Sequence, residues 1–128
     1  MTHLCRIRLE LARTEGFPEG SSQHGYVFVA PLDDKGHIDA PAWRPLKDRC
    51  FVTRFWGDEP VQHGTLRHVG GGWRFDYERN THGDDEPFFK LEKHVMEPGA
   101  YVSLTEQDGV QRPFRVISVE RLRKPEAA

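Results

Sequence analysis

No apolar run in the chain approaches the ~20 consecutive residues that a membrane-spanning helix requires. Cysteine is scarce, with two residues, Cys5 and Cys50, and no CxxC spacing. That excludes a disulfide framework and a clustered thiolate metal site, and the pair reads as buried, reduced thiols. Positive charge is not in excess. Eighteen Lys and Arg against 20 Asp and Glu give a net charge of −2, which argues against nucleic acid or an anionic membrane as the partner. The N-terminus has no basic patch followed by an apolar stretch and small cleavage residues, so a cytoplasmic location is the expectation. Catalytic signatures are missing too. There is no Gly-x-Ser-x-Gly and no Cys–His–Asn arrangement, and Gly70-Gly-Gly lacks the Lys-Ser/Thr and helix of a P-loop. Ser103 and Ser118 alternate with apolar residues and read as strand positions rather than nucleophiles.

What the chain does have is β-strand patterning. At 128 residues it suits one domain, residues 1–123, with a frayed tail at 124–128. Tyr101-Val-Ser-Leu-Thr-Glu and Arg112-Pro-Phe-Arg-Val-Ile-Ser-Val-Glu flank Gln107-Asp-Gly, a hairpin signal because Gly takes the positive φ of the turn. A three-residue loop ending on Gly109 opposes Val102 to Phe114 and Ala100 to Val116, gathering Val102, Leu104, Phe114 and Val116 on one face. A two-residue loop would set Val102 against Arg115, so the apolar pattern selects the longer loop. Ile117 and Val119 then fall on the opposite face, which predicts cover on both sides there.

In Leu4–Leu11, Cys5, Ile7, Leu9 and Leu11 alternate with Arg6, Arg8 and Glu10, the pattern of a strand with one buried and one wet face. Thr14–Gly25 reads as a loop, and Tyr26–Leu32 as a central strand buried on both faces. Asp39 caps a brief helix with Pro41 in its first turn, limited by Pro45 to about one turn. Cys50–Trp56 resumes the sheet, with Phe51, Thr53 and Phe55 on one face and Val52, Arg54 and Trp56 on the other. Val61–Val69 and Trp73–Glu78 form a second hairpin through the three glycines, with Trp73, Phe75 and Tyr77 turned to the core. Phe88–His94 is a further short strand. The expectation is an all-β fold, a small antiparallel barrel or barrel-like sandwich of about eight strands with at most one short helical turn.

Seven histidines (His3, His24, His37, His63, His68, His82 and His94) show no i, i+4 pair, and they read as scattered and solvent-exposed. His82, Asp84, Asp85 and Glu86 in the acidic Arg79–Pro87 loop are the candidate metal ligands, a set that suits a hard cation as well as zinc. Trp56, at a strand end beside Gly57, is where a barrel mouth would bind a ligand.

The block Glu97-Pro-Gly-Ala-Tyr-Val-Ser-Leu with Arg112-Pro-Phe-Arg-Val resembles part of the flavin-binding barrel of ferredoxin-reductase-like oxidoreductases. In that family a Pro-Gly-Gln-Tyr-Val-type strand precedes an Arg-x-Tyr-Ser strand that holds the flavin. The resemblance implies flavin contacts from Arg112, Phe114 and Arg115. Ala100 stands at the family's Gln position, Phe114 at its Tyr and Arg115 at its Ser, and no nicotinamide domain follows. Across Arg8–Arg13, His24–Tyr26, Pro98–Ser103 and Phe114–Val116 the chain is similar to a group of small bacterial proteins with no assigned activity.

Together these readings favour a binding module for a partner protein or a small molecule, acting through its loops, with Trp56, Arg112, Phe114 and Arg115 as candidate ligand contacts. The alternative is a flavin-associated or metal-dependent small enzyme. Exposed strand edges would also allow a homodimer.

Overall fold

The structure, a computed structural model, describes residues 2–69, 72–77, 95–106 and 109–122. Among these, seven strands form one antiparallel sheet that curls into a half-barrel. In chain order they are β1 (His3–Leu11), β2 (Ser21–Leu32), β3 (Phe51–Trp56), β4 (Glu59–Val69), β5 (Gly72–Tyr77), β6 (Tyr101–Thr105) and β7 (Gln111–Arg121). The spatial order is β5-β4-β3-β2-β1-β7-β6. A helix, α1 (Ala40–Leu46), and a 3-10 turn (Lys47–Arg49) join β2 to β3. No helix among the described residues is long and apolar enough to cross a membrane. The expected strand at Phe88–His94, the acidic loop before it and the C-terminal tail lie outside the described residues.

Alternation builds the core. Cys5, Ile7, Leu9 and Leu11 of β1, Tyr26, Phe28, Ala30 and Leu32 of β2, and Trp73, Phe75 and Tyr77 of β5 all point to the concave side and are buried. Curvature brings distant strands into contact across it. Tyr26 of β2 lies 5.2 Å from Phe75 of β5 and 5.3 Å from Phe114 of β7, ring centre to ring centre. Such aromatic contacts add to the burial that drives collapse.

β2 differs from its expected form. It begins at Ser21, so the loop before it is shorter, and Val27 and Val29 on its convex face are only half-buried. The apolar run therefore marks a strand at the centre of the sheet, buried throughout its concave face and, on its convex face, only at Pro31.

The C-terminal hairpin has the expected register, Val102 opposite Phe114, with Gly109 at φ 82°. Val116 and Ala100 are bonded, Val116 N–H to Ala100 O at 2.8 Å. Further along, β7 departs from expectation. Arg8 pairs with Ser118 and Leu9 with Val116, so Ile117 is bulged out of the ladder. A bulge adds one residue to one strand and shifts its phase. Val119 thereby pairs with the buried Ile7 instead of facing outward, and Ile117 is left 38% exposed.

Helix α1 starts at the expected cap, where Asp39 Oδ1 accepts the Ala42 N–H at 3.1 Å. It runs through Pro45 to Leu46, longer than the single expected turn. Its anchor is Trp43, which is buried and donates its indole N–H to Leu66 O at 3.0 Å. That tertiary contact holds the helix past a proline that would end it in isolation.

Candidate functional site

One end of the half-barrel collects the end of β1, the starts of β2, β4 and β7, and the ends of β3 and β6. Trp56, the last residue of β3, sits there half-buried. The inward phase of β3 runs Val52, Arg54, Trp56, so the Arg54 guanidinium lies over the indole of its i+2 neighbour, 4.4 Å from the ring centre. Arg112, near the start of β7, approaches the same ring at 5.8 Å. Trp56 also lies 6.3 Å from Phe114 and makes a perpendicular contact with His24 at 4.7 Å.

Beneath Trp56 is a buried carboxylate. Glu106 continues the inward alternation of Val102 and Leu104 just beyond β6 and is fully buried. Tyr26 donates its phenol O–H to Glu106 Oε2. Arg54 Nη2 donates to Glu106 Oε1 at 3.3 Å, and Arg112 Nη1 lies 3.9 Å from the same oxygen. Arg54 also reaches Glu59 Oε1, 3.7 Å away on the exposed start of β4. One carboxylate thus ties β2, β3 and β7 together across the concave face. Charges taken out of water demand such company, since an unaccompanied buried ion costs several kcal/mol.

His24, on β2, stands beside this cluster. Its ring packs 4.7 Å from Phe17 and against Trp56, and its Nδ1 is 2.7 Å from Ser21 Oγ. Burial pushes its pKa below the ordinary 6.5 and the nearby Arg54 charge acts in the same direction, outweighing Glu59.

Of the residues singled out in the sequence, Trp56, Arg112 and Phe114 come together at this end. Arg115 does not. It alternates to the convex face, where it lines a separate open cleft of about 330 Å³ with Ser21, Ser22 and Ile117. His82, Asp84, Asp85 and Glu86 lie outside the described residues. Among those described, no three His, Cys, Asp or Glu side chains converge as metal ligands would. The histidines are not uniformly exposed: His24 is held between two aromatics, and His68 stacks on Trp73 at 4.5 Å. Both cysteines are free and buried, and burial pushes the Cys50 thiol up to about 12.

Arg54, Glu106, Tyr26 and Ser21 were not singled out from the sequence. Two of them carried a signal. Arg54 and Glu106 are charged residues in phase with apolar neighbours, Val52 and Trp56 in one case, Val102 and Leu104 in the other. A charge on the inward phase of a strand is a buried charge.

No protein-family model matches the chain, no curated protein matches its sequence, and no solved structure matches its fold.

Proposed function

We propose that the chain is a binding module whose ligand is a small planar anion, an aromatic carboxylate in its simplest form, seated against Trp56. The observation that supports this is the convergence of two guanidiniums on one half-buried indole at the loop-bearing end of the half-barrel. Stability alone would be served as well by apolar side chains in place of the buried ions. Guanidiniums present a planar fork suited to carboxylates, and an indole face suits a flat ring. Arg112 is the accessible member, its side chain 23% exposed against 9% for Arg54. Free, buried cysteines suit a reducing compartment, and the cytoplasm is our assignment for the chain.

Tryptophan fluorescence titrated with benzoate and indole-3-carboxylate tests the reading. Saturable quenching is expected, at least tenfold weaker in Arg112→Gln with an unchanged circular-dichroism spectrum. No saturation with either compound at millimolar concentration would refute it.

A further inference from the structure

In a regular strand the side chains of residues i and i+3 point to opposite faces, yet Ser21 and His24 touch. The cause is an irregularity in β2. Glu10 of β1 pairs with Gly25 while Leu11 pairs with Ser21, so Ser22, Gln23 and His24 have no partner on β1, although His24 still pairs with Trp56 of β3. The looped segment is pinned on both sides. Gly57 N–H donates to Gln23 O at 2.8 Å, and Arg8 Nη2 donates to Ser22 O at 3.3 Å.

Ser21 Oγ accepts the Gln23 N–H at 3.1 Å and lies 2.7 Å from His24 Nδ1. In the tautomer that carries its proton on Nε2, Nδ1 accepts the Ser21 hydroxyl proton. Phe17 and Trp56 hold the imidazole in that orientation. Ser21 also lines the open cleft of about 330 Å³, with Leu11, Ala12 and Ile117 supplying apolar wall. The bulges at Ser22–His24 and Ile117 flank that cleft, and bulges recur where a strand re-aims a side chain.

We propose that Ser21 and His24 form a nucleophile–base pair that accepts the acyl group of a small activated ester. As Oγ bonds to the ester carbonyl carbon, its proton passes to His24 Nδ1. The ester C–O bond then breaks, and the departing alcohol oxygen takes that proton. Water reverses the sequence: its proton goes to Nδ1, its oxygen bonds to the acyl carbon, and Oγ leaves with the proton. A hydroxyl within hydrogen-bond reach of a fixed, neutral imidazole meets the geometric requirement for such activation. Burial and the Arg54 charge from β3 favour the neutral ring, against the opposing pull of Glu59 from β4. This pair uses neither Arg112 nor Glu106, although its imidazole packs against Trp56 of the ligand seat.

The test is covalent labelling of the full chain with a small alkyl fluorophosphonate, read by intact mass and peptide mapping. One adduct on Ser21 is expected, absent from Ser21→Ala. Its rate should rise with pH through the His24 titration seen by NMR on the same protein. His24→Asn should slow it about 100-fold. If that variant fails to fold, the pH profile of the parent decides. No adduct, an adduct elsewhere, or a Ser21 rate that ignores His24 protonation would overturn the proposal. p-Nitrophenyl acetate turnover, lost in Ser21→Ala, is the expected second readout. Benzoate binding by a chain that never labels would sink this pair and leave the Trp56 seat standing.

Discussion

Replacing Glu106 by Gln keeps the shape of the side chain and an acceptor for the Tyr26 hydroxyl, but removes the charge between two guanidiniums. Arg54 is 8% exposed and Glu106 fully buried, so the loss falls where water cannot compensate. Breaking a buried ion pair from one side costs about 3–5 kcal/mol. The lower end applies here, because Arg112 is partly exposed and Arg54 keeps Glu59 within 3.7 Å. About 3 kcal/mol is a large share of a typical 5–15 kcal/mol stability. At a size between the ranges usually tabulated it lowers Tm by roughly 10–15 °C. Urea unfolding followed by circular dichroism is the assay, with the slope checked for constancy. Tyr26→Phe, which removes one hydrogen bond, should cost about 1–1.5 kcal/mol. The double variant should cost less than the sum of the two, because both act on one cluster. A Glu106→Gln protein within about 1 kcal/mol of the parent, with the same slope, would refute the idea that this carboxylate ties the strands together.

His24 should make stability pH-dependent. Its pKa is depressed in the fold, so as pH falls below about 6.5 the unfolded chain takes up a proton that the folded chain resists. Stability then declines until the folded value is reached and is flat beyond it. Urea midpoints at pH 7.5 and 5 should differ more in the parent than in His24→Asn, and a His24 NMR titration at or above 6.5 would contradict this. Cys50, with its thiol pushed up to about 12 and no exposure, should resist Ellman's reagent in the native protein and react at once in denaturant. Gly64→Ala should destabilise by about 1–3 kcal/mol in the same urea assay, because a Cβ there would lie 2.2 Å from Asp76 O on β5.

Period-two patterning made much of the fold legible in advance. The faces of β1, β3 and β5 and the register of the C-terminal hairpin follow from which residues alternate and where Gly109 permits a positive φ. Trp56 could be placed at a strand end because Gly57 follows it. The departures have local causes. Ile117 is a bulge, which shifts the phase for Val119, and strict alternation has no means of anticipating it. The loop expected through Gly25 hides the first residues of β2, since Ser21 and Gly25 have turn composition yet pair with β1. For the same reason the Ser21–His24 contact went unseen: it exists because a strand is irregular.

The order of residues alone makes this chain an antiparallel β structure with apolar residues on one phase of its strands, because side-chain alternation is a property of the extended backbone. It also determined that Arg54 and Glu106 share that inward phase. Their meeting depends on how the sheet curls. They are 52 residues apart in the chain, and no local pattern encodes which distant strands a curling sheet will bring face to face. The half-barrel set that distance, and with it the cluster of Tyr26, Arg54, Glu106 and Arg112 beneath Trp56.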